Sequence, residues 1–417
     1  NGAVDARLYN AMRDVVEHCT ACGRCMANCP VKIPSWEVAL TLRALLDHEG
    51  EMGHPIKEWA LEFLSKDIAS RVPKAAKMAS LGQKMQNRFL GFVPKAWKNR
   101  IQNPIFSGQG PKMGYTNLYE SLKLQRGHIF TPGEPKDDMP LVFYFPGCGG
   151  ALFYDRIGIS SLMLLLYAGY AVALPPKHCC CGYPLLAAGM DVLYEDRLHE
   201  TRQYLSELLR DVHRKKFVPR YLVSACGTCR DSLERMQLAE SFPMLEQKDV
   251  VQLVLPELST LLGTKQTAKE PILYHTACHI EWANTHKVKG QAVIANELGK
   301  ATGFAVTLNK GCCGESGMGA VTSPAIYNLL RARKRASLAE EFAKGYDGPV
   351  LVGCPSCKIG IGRSLLAMHD KRPVLHITEW LASLIDGEDR RQSFKKKVNE
   401  TKGDIRVIAL PENRKKS

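Results

Sequence analysis

The 417-residue chain has no apolar run long enough to cross a bilayer. The nearest, Ser161–Pro175, is interrupted by Gly169 and falls short of the roughly 20 residues that a spanning helix needs. No secretory signal pattern stands at the start. The chain opens on Asn1-Gly2, as a fragment or a processed chain would. Nor does it have the cysteine density of a small disulfide scaffold. Fifteen cysteines are well under the roughly 8–10% of such domains, and an odd number cannot all pair. A reducing compartment is expected, cytosolic or facing the cytosol.

Acidic charge is also in short supply, with 42 Asp and Glu against 56 Lys and Arg. The resulting +14 is concentrated in two stretches, Lys66–Arg100 (+8) and Asp389–Ser417 (+6), and the rest of the chain is neutral. Such runs are most often a solvated linker and tail, and the same charge suits anionic lipid or an acidic partner. Residues 74–100 interleave basic residues with Met, Phe and Trp97, as an amphipathic surface helix or a membrane-surface or partner-binding helix does. Peripheral contact with the inner face of the cell membrane is compatible with this pattern. No nucleic-acid partner is expected.

What the chain does have is thiols in patterns. Cys19, Cys22, Cys25 and Cys29-Pro30 follow the Cys-x2-Cys-x2-Cys-x3-Cys-Pro spacing of bacterial ferredoxins, in which a tight turn wraps the corners of a cubane. Zinc more often takes two separated Cys-x-x-Cys knuckles. Only one such run is present, so Cys29 is expected to close its own cluster unless a second run was lost upstream.

Ten further cysteines form two sets. The first is Cys148, Cys180, Cys181, Cys226 and Cys229; the second is Cys278, Cys312, Cys313, Cys354 and Cys357. Corresponding members stand 130, 132 and 128 positions apart, the mark of a tandem duplication. In each set a Cys-Cys-Gly turn, at Gly182 or Gly314, is flanked by a lone Cys before it and a Cys-x-x-Cys after it. Gly permits the positive φ of a sharp bend and close approach of main-chain N–H groups. In the second set Gly317 and Gly319 follow, then a helix from about Ala320 whose start offers free N–H donors.

The pattern alternates strands and helices. Strands are expected at 141–145, 171–174, 221–224, 272–275, 304–308 and 350–353. Helices are expected at 8–18, 36–50, 55–69, about 184–211, 287–300 and 323–344, with an irregular connector at 103–139. Alternation implies parallel sheets, and ligands of such sheets gather at the carboxyl ends of strands. Each set of thiols therefore converges on one sheet edge from three loops. Cys179 has no counterpart in the second set, where Gly311 stands, and reads as a spectator. His178, His275 and His279 adjoin the cysteines as ordinary structural histidines or as hydrogen-bond donors to sulfur. Gly147-Cys148-Gly149-Gly150 matches a dinucleotide loop only in part, position 152 being Leu.

With these motifs placed, residues 10–385 resemble the Cys-Cys-Gly-domain iron–sulfur proteins. These include the B and D subunits of heterodisulfide reductase and the iron–sulfur subunits of glycolate oxidase, lactate oxidation and anaerobic glycerol-3-phosphate dehydrogenase. The chain also resembles the carboxyl-terminal part of bacterial fusions in which an FAD-linked oxidase domain comes first. The fold implied is α/β: a helical ferredoxin-type [4Fe–4S] domain (1–45), a basic helical and irregular linker (46–138), two tandem Cys-Cys-Gly domains with parallel sheets (139–258 and 269–386), and a basic tail (387–417). The resemblance implies a [4Fe–4S] cluster on Cys19, Cys22, Cys25 and Cys29, and a further iron–sulfur cluster on each five-cysteine set. It implies an oxidoreductase component that passes electrons from FAD, on a partner or an upstream domain, to a quinone or other acceptor. The substrate class is D-lactate, glycolate or a similar 2-hydroxy acid. A disulfide reductase, with the duplicated domains as the catalytic site, is the alternative.

Overall fold

The computed structural model describes residues 6–410, omitting 18, 20, 24, 27–28, 32, 52–54, 93–112, 115, 125–127, 137–138, 263–270, 280–289, 316–322, 387–391, 393, 397 and 399–404. The described chain opens with α1 (Ala6–Glu17), α2 (Ser35–His48), α3 (Pro55–Ser65) and α4 (Ile68–Phe92). A short α5 (Leu118–Ser121) follows, held by a capping box between Asn117 and Glu120.

The first repeat is β1 (His128–Pro132), β2 (Pro140–Tyr144), α6 (Asp155–Tyr167), β3 (Ala171–Leu174), α7 (Tyr183–Ala188), α8 (Asp191–Arg214), β4 (Val218–Ser224), α9 (Gly227–Arg235), β5 (Glu246–Asp249) and α10 (Val250–Leu262). The second is β6 (Ile272–His275), α11 (Gly290–Thr302), β7 (Val306–Asn309), α12 (Pro324–Ala343), β8 (Val350–Val352), α13 (Pro355–Ala367), β9 (Val374–His376) and α14 (Ile377–Asp386), after which β10 (Ile405–Ala409) closes the described chain.

The sheet orders establish the duplication. The first sheet runs β10-β1-β3-β2-β4-β5 and the second runs β7-β6-β8-β9. Position by position, β3-β2-β4-β5 and β7-β6-β8-β9 have the same order, and every pairing within each foursome is parallel. The fold is the expected mixed α/β with parallel sheets. Strands β2 and β3 are apolar on both faces and buried almost throughout, as parallel strands covered by helices must be. Helix α6 is apolar nearly all round and lies between such layers, with Ile157, Leu162, Leu164 and Leu165 fully buried.

Several expectations are corrected. The stretch read as irregular connector contains β1, and the stretch read as basic tail contains β10; the two pair antiparallel and extend the first sheet. The expected helix over 184–211 is two helices, broken at Gly189, whose φ of 88° ends α7. The expected breadth of the helix at 55–69 divides into α3 and the start of α4. Gly317, Gly319, the expected helix start at Ala320 and residues 93–100 lie outside the described residues.

Candidate metal–thiolate site

All fifteen cysteines are free thiols. The strand ends deliver the two sets as the topology requires. Cys148 follows β2, Cys180 and Cys181 follow β3, and Cys226 and Cys229 open α9 after β4. In the second repeat Cys278 follows β6, Cys312 and Cys313 follow β7, and Cys354 and Cys357 open α13 after β8.

Local geometry repeats as well. Gly182 and Gly314 both take left-handed φ, 78° and 74°. The N–H of Gly182 donates to Cys180 Sγ at 3.4 Å, and that of Gly314 to Cys312 Sγ at 3.3 Å. Cys180 therefore corresponds to Cys312 and Cys181 to Cys313, and Cys179 is the extra residue. Cys226 and Cys354 are both extended N-caps. Each second cysteine, Cys229 or Cys357, thus sits in a helix first turn. There the peptide dipole favours a thiolate by about 0.3–1 kcal/mol.

Within the first set Cys148 Sγ is 3.9 Å from Cys180 Sγ. The thiol of Cys181 is hydrogen-bonded with those of Cys180 and Cys229, and that of Cys229 with Cys226. Within the second set the thiol of Cys313 is hydrogen-bonded with those of Cys312 and Cys357, and that of Cys357 with Cys354. No spacing in the chain foretells the next contact: Cys226 Sγ lies 3.9 Å from Cys354 Sγ, across the repeats. Nine sulfurs therefore form one unbroken line from Cys148 to Cys312. Cys278 lies near enough to Cys312 to raise its thiol further by charge.

Such a line constrains the chemistry. Hydrogen bonds from Cys148 and Cys181 draw the Cys180 thiol down, and bonds from Cys226 and Cys357 do the same for Cys354. Hydrogen bonding to a neighbouring sulfur, with burial, pushes Cys148, Cys229 and Cys357 up. Two unit negative charges 4 Å apart repel by about 4 kcal/mol even at an effective dielectric of about 20. The set cannot ionise together without cations among the sulfurs. An all-thiolate, desolvated, soft donor set of this kind fits iron–sulfur ligation.

Close backbone approach fits it too. A Cβ on Gly147, at φ 60°, would stand 2.6 Å from Cys229 Sγ. One on Gly149 would collide with the Pro355 ring, so the first repeat's loop packs directly on the second repeat's Cys-Pro-Ser-Cys turn.

Histidines adjoin both sets. His178 Nε2 is 3.5 Å from Cys148 Sγ. In the second repeat a nitrogen of His275 and the sulfurs of Cys313 and Cys357 lie within 4.8 Å of one another, all buried. Beneath His275 lies a residue that sequence reasoning misses. Lys334, 2% exposed, places Nζ 3.3 Å from His275 Nδ1, 2.6 Å from Asn309 Oδ1 and 2.7 Å from the Lys310 carbonyl. An ammonium donating to Nδ1 leaves Nε2 to carry the imidazole proton. Lysine is ordinarily a surface residue, so the sequence carries no signal for it.

In the run Cys19, Cys22, Cys25 and Cys29, Ala21 and Gly23 take left-handed φ, 48° and 60°. The Ala21 N–H donates to Cys19 Sγ at 3.4 Å. Arg43, buried under the turn, donates to the carbonyls of Val16 and Cys19 and, at 2.5 Å, of Ala187. Tyr183, next to the first Cys-Cys-Gly glycine, joins the three thiol groups. Its hydroxyl donates to the Ala21 carbonyl at 3.4 Å, and its ring packs edge-on against His279, beside Cys278, at 4.9 Å. A cavity of about 240 Å³ adjoins the first set, floored by His178, Cys179 and Cys180 and walled by residues 66–69, Lys177, Arg197 and Tyr204.

The family model for the cysteine-rich domain termed CCG matches residues 142–234 and 272–362. The family model thus matches twice, once in each repeat. It is 22% identical over 395 residues to an uncharacterized iron-sulfur protein of Methanocaldococcus jannaschii, covering 91% of this chain and 65% of that one. It is 23% identical over 251 residues to an uncharacterized iron-sulfur protein of Methanococcus maripaludis, covering 58% and 47%. It is 23% identical over 229 residues to a fumarate reductase (CoM/CoB) subunit from Methanothermobacter marburgensis, covering 53% and 42%. The chain thus spans less than two thirds of the length of each of these curated relatives.

Proposed function

We propose that the chain is the iron–sulfur electron-transfer portion of a flavin-linked dehydrogenase acting on a 2-hydroxy acid such as D-lactate or glycolate. The observation that carries this reading is the unbroken sulfur line through both CCG domains, with the Cys19–Cys29 turn joined to it through Tyr183. Iron–sulfur centres, when bound, supply one-electron uptake and release. Cys19, Cys22, Cys25 and Cys29 would hold a [4Fe–4S] centre, and the two five-cysteine sets would hold further iron and sulfide. The chain's own residues position these sulfurs, exclude water from them and offer N–H donors from Gly182, Gly314 and the starts of α9 and α13. FAD belongs to a partner or another domain, and a quinone or comparable acceptor receives the electrons. The test is anaerobic reduction of the protein by its flavoprotein partner plus D-lactate or glycolate, followed by electron paramagnetic resonance. Substrate-dependent signals support the reading; signals that appear with dithionite but with no hydroxy acid contradict the substrate class.

A disulfide reductase is the second reading, favoured by the completeness of both sets and by their contact at Cys226 and Cys354. Such a reaction takes two electrons and two protons to split one S–S bond into two thiols. Release of thiols from a small disulfide by the reduced protein, at a rate lost in Cys181→Ser, supports this reading over the first.

A further inference from the structure

The outward face of α3 and α4 is a surface that the sulfur chemistry does not use. On α4, Met78, Leu81, Met85, Phe89 and Phe92 are all exposed, Phe92 at 83%. They are spaced three, four, four and three residues apart, so at 3.6 residues per turn they form one continuous stripe. The opposite side of the helix carries Val72, Ala76 and Ser80 and faces the protein core. The exposed stripe is thus not a misassigned core face.

Helix α3 extends the same surface. Ile56 and Trp59 are 79% and 65% exposed, and Trp59 stacks on Phe63 with ring centroids 5.6 Å apart. Arg71 of α4 lies over the Phe63 ring at 4.3 Å and donates to the Phe63 carbonyl at 2.7 Å, tying the two helices together there.

Charge identifies the occupant. Helix α4 carries Arg71, Lys74, Lys77, Lys84 and Arg88 and no acidic residue. Lys77, Lys84 and Arg88 line one flank of the stripe; Lys77 also stands 3.8 Å from Glu120. An apolar stripe with aromatic side chains and a basic flank is the pattern of helices that lie in the headgroup region of a bilayer. Tryptophan is favoured at that depth. Among the described residues no helix is long and apolar enough to cross a membrane, so contact would be along the surface.

We propose that α3 and α4 dock the protein on an anionic lipid bilayer, with the apolar stripe in the acyl boundary and the basic flank at the headgroups. Residues 66–69, the joint between these helices, wall the cavity beside Cys180, so the lipid-facing helices are also the ones that reach the first sulfur set.

The test is co-flotation of the full chain with phosphatidylcholine vesicles, with and without phosphatidylglycerol, at low and high salt. Expected are binding that requires phosphatidylglycerol, weakens with salt, and falls about fivefold for each of Lys84→Gln and Arg88→Gln. Leu81→Glu combined with Met85→Glu abolishes flotation with an unchanged melting temperature. If that pair lowers the melting temperature, Met85→Ser with Phe89→Ser replaces it. No flotation with anionic vesicles overturns the proposal. Equal binding to neutral vesicles, unaffected by the glutamine changes, overturns it too. A sedimenting dimer that the glutamate pair turns into monomer, without vesicle binding, assigns the stripe to a second copy of the chain instead.

Discussion

Cys226 and Cys354, 128 positions apart, hold their sulfurs 3.9 Å from each other. Each is the N-cap of the helix that carries its partner cysteine in the first turn, α9 for one and α13 for the other. Equivalent residues of two repeats therefore meet face to face, and two five-cysteine sets become one site.

That contact separates the effects of two serine substitutions. Cys354→Ser, at the junction, should alter the paramagnetic resonance of both five-cysteine sites in the dithionite-reduced protein. Cys312→Ser, at the far end of the line, should alter one. Equal effects of the two substitutions would show that the sets are independent.

Cys179 lies outside the sulfur line, and burial raises its thiol. Cys179→Ser should leave iron and sulfide content unchanged, whereas Cys180→Ser should lower both. Metal analysis of the two purified variants checks the register that the N–H bonds of Gly182 and Gly314 define.

Gly147→Ala should destabilise the protein by about 1–3 kcal/mol, since its Cβ would stand 2.6 Å from Cys229 Sγ. Gly169 also has a positive φ, 88°, but no atom within 4 Å of a Cβ there. Gly169→Ala should cost only the backbone strain, about 1–2 kcal/mol, and should retain iron. Denaturant titration with metal analysis distinguishes sulfur crowding from strain.

Asp249, at the end of β5, is fully buried, and desolvation pushes its carboxyl up to about 6. In the unfolded chain it titrates near its ordinary value of about 3.9. Between these values the folded state binds the extra proton, so this group's contribution to stability is present at low pH and is lost as pH rises through about 6. The loss is on the order of 3 kcal/mol. Asp249→Asn can still accept the Val251 N–H, which stands 2.8 Å from Asp249 Oδ1. The variant should melt higher at pH 7 than the parent chain and lose this component of the pH dependence between pH 4 and 6. Calorimetry across that range checks it.

How far the sequence reveals this arrangement depends on what each feature rests on. Ala171–Leu174 and Ile272–His275 are apolar on both faces, and the expected strand limits match those found. Neither β1 nor β10 has such a run: His128–Pro132 ends in proline, and Ile405–Ala409 carries Arg406. β1 is a strand because it lies between β3 and β10, and β10 because it pairs with β1, contacts between distant segments that no local pattern shows. The break at Gly189 is hidden for a similar reason. A lone glycine is tolerated inside a helical pattern, and what accompanies the turn is Arg43, whose backbone lies within 3.1 Å of a Cβ placed there. Repeated spacing exposes two sets of thiols but not the angle at which the repeats pack. The contact of Cys226 with Cys354, and Lys334 beneath His275, follow from that packing alone.

Iron and acid-labile sulfide, measured on the anaerobically purified protein, test the central claim most directly. The account predicts both, in near-equal amounts and in excess of what one [4Fe–4S] centre holds. Zinc without sulfide, or a protein whose sulfurs bind no metal, would contradict it.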